Sequence, residues 1–393
     1  MGGLHVGARP VDSVRGRNRG RTGGCGMSLI KSIRHWLRTH PTVTTEPATP
    51  PGRGARRGPV DHVILLDGTC SSLEPGHETN VGLIFKLLRQ GRRSVHRTIY
   101  YEPGLQWCGW LRIGDLVQGR GLNRQIRRAY GYLASHYQPG DRIFLFGYSR
   151  GAYAVRSLAG VIDRVGLLRR EEATERNVQL AWRHYEQGSI RPHARAFSRR
   201  YCHPRVEIEV VGIFDTVKAL GLRLPLLWRL TEDRHAFHSH RLGRTVRHGF
   251  HALAMDETRT VFEPVLWDYP YHGQIVEQAW FRGGHGDIGG QLNGGRHGSR
   301  LLSNIPLVWM LERAAHCGLQ LPESWRAEFP CDASAPMTSL YAGWGKLFLW
   351  RQRRSQLCCP TEYLHPTALR PYCAPRKWRL RLGPAEAGEP TQG

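Results

Sequence analysis

The chain has 393 residues, 40% of them hydrophobic, which is enough for the core of one large domain. Its 56 Lys and Arg against 32 Asp and Glu leave a formal net charge of +24, which favours anionic partners such as phospholipid surfaces or nucleic acid. Nine cysteines include no C-x-x-C pair, so neither a zinc ribbon nor a redox motif is indicated. No apolar run approaches the ~18 residues that span a bilayer. Because Arg and Gly fill residues 7–24, where a signal peptide needs an apolar run, we expect a cytoplasmic protein, soluble or peripheral to a membrane.

Residues 1–59 are predicted to form a disordered basic segment and linker. Eleven Lys and Arg stand against Asp12 and Glu46 in the first 60 residues. Within this segment, Met27–Leu37 has the spacing of a short basic amphipathic helix, a type suited to lipid surfaces. The true start of the protein is therefore either Met1 or Met27.

From residue 60 onward, apolar strand patterns alternate with helix patterns. A buried strand is predicted from Asp61 into the turn Asp67-Gly68-Thr69. Further apolar strands are predicted at Thr98–Tyr101, Arg142–Phe146, Val206–Phe214 and Gln278–Phe281. Two other apolar segments are Val246–Leu253 and Arg259–Phe262. Helices are predicted at Thr79–Leu88, Gly119–His136, Ala152–Ile162 and Ser303–Cys317. This alternation predicts the α/β class, specifically an α/β-hydrolase-like, mainly parallel sheet with helices on both faces. We place this catalytic domain at residues 60–320 and a basic C-terminal extension at 321–393.

The sequence Gly147-Tyr148-Ser149-Arg150-Gly151 lies between a predicted strand and a predicted helix. It fits G-x-S-x-G in the strand–turn–helix context of a nucleophile elbow. The glycines Gly147 and Gly151 would let the strand and the helix pass closely around a strained Ser149. The alternative is an ordinary turn in which Ser149 caps the helix.

A Ser, an acid and a His follow one another in the chain order of an α/β-hydrolase triad. Ser149, Asp215 and His285 each stand just beyond an apolar strand. A neutral imidazole can take the Ser proton, and a carboxylate must orient that imidazole. Asp215 could instead cap its own turn. Asp287 is the alternative acid, although two residues from His285 it is better placed to order the glycine-rich loop.

The oxyanion of the reaction needs backbone donors near Ser149. We predict the N–H groups of Arg150 and of the Gly68–Thr69 turn for this role. The alternative for the turn is a tight loop that Asp67 caps. The carboxylates of Asp67, Asp215 and Asp287 could also bind a hard metal ion, but the elbow makes a metal unnecessary, and no cofactor is predicted.

Several motifs together resemble one known family. They are Leu66-Asp67-Gly68-Thr69, Glu78-Thr79-Asn80-Val81, Gly140–Tyr153, Phe214-Asp215-Thr216-Val217, Ala252–Glu257 and Gly284–Gly290, in this order. This set resembles the uncharacterised α/β-hydrolase domain related to type VI secretion phospholipase effectors, over roughly residues 60–320. The resemblance implies a bacterial Ser-Asp-His lipid or ester hydrolase, with Ser149, Asp215 and His285 at the triad positions. Cys70 and Ser71 depart from the Trp and Asn that usually follow the DGT turn in that family.

The leading hypothesis is a serine esterase or lipase that is phospholipase-like and acts on acyl lipids, with peripheral contact to anionic membranes and no specific nucleic acid. Secretion as an effector is compatible with the sequence, and the oligomeric state is undetermined. Leu224–Leu230 is predicted to be a lid or a packed surface helix, and Trp344–Arg354 a membrane-facing or docked segment. The competing hypothesis is a catalytically silent scaffold that binds membrane or nucleic acid through its Arg-rich segments.

Overall fold

The computed structural model describes residues 43–45, 58–90, 96–104, 120–188, 191–217, 241–268, 273–292, 299–340 and 351–369. The predicted segments Met27–Leu37 and Leu224–Leu230, and residues 344–350 of the Trp344–Arg354 stretch, lie outside these ranges. Within the described ranges, no helix has both the length and the apolar character needed to cross a membrane.

Eight strands form one sheet. They are β1 Val43–Thr45, β2 Asp61–Leu66, β3 Arg97–Glu102, β4 Arg142–Tyr148, β5 Ile208–Phe214, β6 Val246–Ala254, β7 Ile275–Phe281 and β8 Glu362–Leu364. Their order across the sheet is β1-β3-β2-β4-β5-β6-β7-β8. Only β1 is antiparallel to its neighbour, and the other seven strands are parallel. The predicted parallel α/β fold is confirmed.

Seven α-helices accompany the sheet. They are α1 Asn80–Gln90, α2 Arg120–His136, α3 Arg150–Arg164, α4 Glu175–Glu186, α5 Pro192–Tyr201, α6 His285–Gly289 and α7 Arg300–His316 among the residues described. Four of them were predicted to within three residues at each end. Helix α4 was not predicted from the sequence. It has a capping signal, because Thr174 accepts a hydrogen bond from Asn177 N, and four buried apolar residues follow at helical spacing.

Both faces of the sheet are buried. In β4, Ile143 and Leu145 lie in one core cluster together with residues of α2, α3 and α4. Phe144 and Phe146 lie in a second cluster together with residues of α1 and α7. Because helices cover both sides of the parallel strands, β2 and β4 contain the continuous apolar runs Val63–Leu66 and Ile143–Phe146.

The direction in which the chain adds strands to the sheet reverses between β2 and β4. From β2 the chain crosses to β3 on one side, and from β4 onward it adds strands on the other side. Ligands of open parallel sheets bind at the carboxyl ends of the strands where the order reverses in this way. Asp67 follows β2 and Ser149 follows β4, so the predicted elbow lies at this point.

The sheet continues beyond residue 320. In the stretch placed outside the catalytic domain by sequence, β8 pairs in parallel with β7 through Gln278–Trp280. Glu362 of β8 is buried and accepts a hydrogen bond from Trp280 Nε1 at 2.8 Å. This part of the predicted extension is therefore built into the sheet, because it covers the otherwise open edge of β7.

Candidate active site

Ser149 sits at the sharp turn between β4 and α3. Its backbone has φ 56° and ψ −119°, a strained conformation for a residue that is not glycine. Its side chain makes no capping hydrogen bond to α3. Instead, Ser149 Oγ lies 2.9 Å from His285 Nε2. The alternative of a simple capping serine is therefore not what the structure has.

The two elbow glycines are required by close backbone approach. A Cβ added at Gly147 would lie 2.6 Å from the carbonyl oxygen of Gly151, and one added at Gly151 would lie 2.1 Å from Leu66 O. Real Cβ atoms do not come this close to backbone atoms. The glycines thus let α3 begin directly against the ends of β2 and β4.

Asp215 and His285 complete a hydrogen-bonded array with Ser149. His285 Nδ1 lies 2.6 Å from Asp215 Oδ2. Because an ionised carboxylate only accepts, Nδ1 carries the proton, and Nε2 of the neutral ring can accept from the Ser149 hydroxyl. Ser149, Asp215 and His285 are 7%, 0% and 5% exposed. These three residues are the candidate catalytic groups, and we call them the catalytic array.

Asp215 does not cap its own turn. It has φ 41°, and its Oδ1 accepts from Ala254 N, on the neighbouring strand β6, at 3.0 Å. The rival acid, Asp287, accepts from Gly284 N at 2.8 Å and from Thr338 Oγ1 at 2.6 Å. The structure therefore brings Asp215 to the imidazole, whereas Asp287 orders the backbone before His285.

Sequence reasoning missed Arg354, which lies 139 residues beyond Asp215. Arg354 Nη1 and Nη2 donate to Asp215 Oδ1 at 2.6 Å and Oδ2 at 2.9 Å. Burial alone would raise the pKa of the Asp215 carboxyl, but the Arg354 charge and hydrogen bonds from His285 and Arg354 hold this pKa well below its ordinary value. No local motif marked Arg354, because it was one Arg among many in a basic segment.

Sequence reasoning also missed the groups that contact the backbone and the ring of His285. Glu257 Oε2 accepts from His285 N at 3.1 Å, and Glu257 is itself paired with Arg259. Phe262 stacks on the His285 ring, with 4.6 Å between ring centroids and 19° between planes. The Arg259 guanidinium lies over the other face of Phe262. In the sequence, Asp256 and Glu257 stood out only as part of the motif Ala252–Glu257 in the family resemblance.

The Asp67-Gly68-Thr69 turn lies against Tyr148 and Gly151, which stand before and after Ser149 in the elbow. Gly68 packs on the Tyr148 ring, and Gly151 approaches Asp67 O. The Gly68 N–H donates to Asp67 Oδ1 at 2.7 Å, so this predicted oxyanion donor is already engaged. Within the described part of the chain, no acceptor faces the N–H of Thr69 or of Arg150. These two groups remain the candidate donors.

Side-chain tethers fix the turn. Asp67 Oδ2 accepts from Thr79 Oγ1 at 2.7 Å and from Tyr101 OH at 2.8 Å. Gln291 Nε2 donates to Thr69 O at 3.0 Å, which ties the turn to the chain after α6. At the departure from the family pattern, Cys70 is exposed with φ 57°. The position of Thr69 therefore depends on residues from three separate parts of the chain.

The three carboxylates considered for a metal ion have separate partners. Asp67 binds the turn and two hydroxyls, Asp215 binds His285 and Arg354, and Asp287 binds Gly284 N and Thr338. Among the residues described, no three metal-ligating side chains come together.

Asp67 gives a prediction about stability and pH. Burial raises the pKa of its carboxyl to about 6, although hydrogen bonds from Thr79, Tyr101 and Gly68 partly offset the effect. Since this pKa is above that of the unfolded chain, ionisation costs stability as the pH rises from about 4 through 6. Asp67→Asn removes this cost. The free energy of unfolding of the variant, relative to wild type, should improve by about 2 kcal/mol between pH 4 and pH 8. Urea denaturation at both pH values measures it, and an equal difference at both would contradict the burial effect.

Known proteins resemble this chain over its central part. Residues 61–313 match the profile of the family described as the T6SS phospholipase effector Tle1-like catalytic domain. Among curated proteins, the uncharacterized protein YEL023C of Saccharomyces cerevisiae is 29% identical over 255 aligned residues, and the match covers 55% of this chain and 35% of the yeast protein. The chain thus spans about a third of that relative, and the resemblance is not restricted to bacteria.

Two solved structures also match. An uncharacterized protein from Pseudomonas aeruginosa is 15% identical with a TM-score of 0.40, covering 80% of this chain and 53% of that one. The Tle1 effector bound to the VgrG spike of the type 6 secretion system is 18% identical with a TM-score of 0.33, covering 60% of this chain and 52% of that one.

Proposed function

This chain belongs to the family of Tle1-like catalytic domains of T6SS phospholipase effectors, and from that premise we propose that it is a serine hydrolase that cleaves carboxylic esters of phospholipids or other acyl lipids. The observation that carries the proposal is the catalytic array. Ser149 Oγ lies 2.9 Å from His285 Nε2, and His285 Nδ1 lies 2.6 Å from Asp215 Oδ2. This order of groups is what nucleophilic ester cleavage requires.

In the first half of the reaction, His285 Nε2 takes the hydroxyl proton as Ser149 Oγ attacks the ester carbonyl carbon. Asp215 accepts from Nδ1 and stabilises the imidazolium that forms. The carbonyl oxygen becomes an oxyanion beside the N-terminus of α3. There the Arg150 N–H and the Thr69 N–H would donate to it, and the helix dipole adds to the stabilisation.

The second half returns the array to its starting state. The imidazolium gives its proton to the leaving alcohol, which for a phospholipid is the lysolipid, and an acyl-enzyme remains on Ser149. His285 then takes a proton from water, and the hydroxide attacks the acyl carbonyl. Collapse of the second oxyanion releases the fatty acid and restores the Ser149 hydroxyl. The chain's own residues supply every proton transfer in this sequence.

Two measurements test the proposal. The purified protein should be labelled by a fluorophosphonate probe at Ser149, and it should hydrolyse members of a panel of phospholipids and short-chain esters. The competing hypothesis of a silent scaffold predicts neither labelling nor turnover. Labelling without hydrolysis of any lipid, together with turnover of soluble esters, would remove phospholipid from the proposal but keep the serine hydrolase.

We also propose that the enzyme works at anionic membrane surfaces. Residues 1–41 contain eight Lys and Arg and one acid, Asp12, and the described helix α5 exposes Arg195, Arg199 and Arg200. Each basic residue near an anionic surface contributes about 1 kcal/mol, and salt screens this attraction over ~8 Å at physiological ionic strength. Binding to anionic vesicles should therefore weaken steeply as salt rises.

Co-sedimentation with anionic and neutral vesicles at two salt concentrations measures this binding. Deletion of residues 1–41, which leaves β1 in place, should reduce binding but spare hydrolysis of a soluble short-chain ester. Equal binding to both kinds of vesicle, or none to either, would mean that the charge does not serve membrane contact.

A further inference from the structure

Both terminal nitrogens of the Arg354 guanidinium donate hydrogen bonds to Asp215, the acid of the catalytic array. Each nitrogen donates to a different Asp215 oxygen, at 2.6 and 2.9 Å. The same nitrogens donate to Ala254 O at 2.8 Å and to Phe262 O. Arg354 is only 9% exposed and Asp215 is fully buried, so this ion pair is largely shielded from water. Planar two-point pairing of this kind fixes orientation as well as charge.

The segment that carries Arg354 is itself anchored around the array. Gln352 N donates to Thr258 O at 2.7 Å, and Gln356 Nε2 donates to Met255 O at 3.1 Å. After Arg354 the chain turns into β8, which pairs with β7. Residues 352–364 therefore contact the chain just after β6 and pair with β7. All of them lie beyond residue 313, where the family match ends.

We propose that Arg354 is a positioning residue, which holds the Asp215 carboxylate so that Oδ2 faces His285 while its charge limits how strongly Asp215 favours the imidazolium. This inference rests on the proposed hydrolase function. Arg354 lies outside the family-matched region, and by this inference it helps to set the pH range in which the reaction runs.

The geometric part of this role follows from the contacts of Asp215. Among the residues that the structure describes, loss of Arg354 would leave Oδ1 with only the Ala254 N–H, at 3.0 Å, and Oδ2 with only His285 Nδ1. The carboxylate could then rotate, and the imidazole with it. A displacement of about 1 Å at the reacting groups can cost about 10²-fold in rate.

The electrostatic part follows from the charges that face His285. Asp215 contacts Nδ1, Arg354 lies behind Asp215, and the Glu257–Arg259 pair lies at the backbone of His285. Tyr148 lies 5.0 Å away between ring centroids, and Asp287 binds the backbone at Gly284. Glu257 is already neutralised by Arg259. Removing Arg354 therefore leaves Asp215 as an uncompensated anion, which favours the imidazolium and moves the acid limb of the pH–rate profile to higher pH.

The experiment compares wild type with Arg354→Gln and Arg354→Lys, using kcat/KM against pH and the rate of fluorophosphonate labelling. Arg354→Gln should lose about 10²-fold in kcat/KM, with its acid limb moved upward. Guanidinium ion at a concentration that does not denature should restore part of the activity. Arg354→Lys should lose activity, because lysine cannot pair with both oxygens of Asp215 as the guanidinium does. Its acid limb should stay in place, because the positive charge is kept. In an Asp215→Asn background, Arg354→Gln should cost little more.

Arg351→Gln is the matched control. It removes a cation from the same segment, where Arg351 donates to Thr258 Oγ1 and to Leu340 O. Its kcat/KM and acid limb should stay at wild-type values. Unchanged kcat/KM in Arg354→Gln, or an equal loss with and without Asp215, would overturn the positioning role. If Arg354→Gln does not fold, wild-type kcat/KM in Arg354→Lys would overturn it instead.

A proton NMR spectrum separates this proposal from the proposed function. The His285 Nδ1–H bonded to Asp215 should give a low-field resonance in wild type that shifts or disappears in Arg354→Gln or Arg354→Lys. If wild type neither labels nor turns over esters, the hydrolase proposal fails, and the NMR comparison still decides whether Arg354 orients the pair. An unchanged resonance in a folded variant would refute the positioning role.

Discussion

Replacing Ser149 by alanine should abolish ester hydrolysis and fluorophosphonate labelling, with a loss in kcat of about 10⁶-fold. The substitution removes the hydroxyl oxygen that we propose as the nucleophile. The fold should survive, because alanine has the same Cβ that serine already places at φ 56°. The folded state loses only the hydrogen bond to His285 Nε2, which contributes about 1 kcal/mol.

Ser157→Ala is the matched control for Ser149→Ala. Ser157 is also a buried serine of α3, and its hydroxyl donates to Tyr153 O at 2.9 Å, away from the array. It should lose about 1 kcal/mol of stability at most and keep its activity. Turnover in Ser149→Ala close to wild type, measured with the same ester, would refute the proposed nucleophile.

His285→Ala and Asp215→Asn should each cost orders of magnitude, about 10⁶-fold and about 10⁴-fold in kcat. His285 is the only base within reach of Ser149 Oγ among the described residues. Asparagine at position 215 cannot hold the imidazole in the tautomer that leaves Nε2 free. Combined with Ser149→Ala, either change should add little, since the three groups act as one unit. Additive losses in the double variants would show that the three residues do not share one step.

Asp215→Asn should also lower stability, which an ordinary triad acid need not do. It leaves the buried Arg354 guanidinium without its carboxylate, and breaking a buried ion pair costs about 3 to 5 kcal/mol. Activity must therefore be measured below the melting temperature of the variant. Asp287→Asn is the comparison, because Asp287 is equally buried and two residues from His285. A larger loss of kcat in Asp287→Asn than in Asp215→Asn would mean that the acid is misassigned.

The sequence by itself determined the elbow and the chain order of the candidate site. The apolar run into Gly147, the strained Ser149 and the helix after Gly151 are local features, set by neighbours within a few residues. The same holds for the strands that end at Asp67 and Asp215. Because the carboxyl ends of parallel strands meet at one edge, local patterns were enough to predict that these residues gather there.

The tertiary structure alone decided which groups at that edge touch. The sequence favoured Asp215 as the acid but left Asp287 as an alternative, and only the packing shows one carboxylate at His285 and the other at Thr338. Likewise, only the folded turn shows that the Gly68 N–H is taken by Asp67. Arg354 reaches Asp215 across 139 residues. A hydrogen bond depends on the distance between its two atoms to within fractions of an ångström and on its direction. When the partners are far apart in the chain, the packing of strands and helices sets this distance and direction. No local sequence pattern encodes that packing.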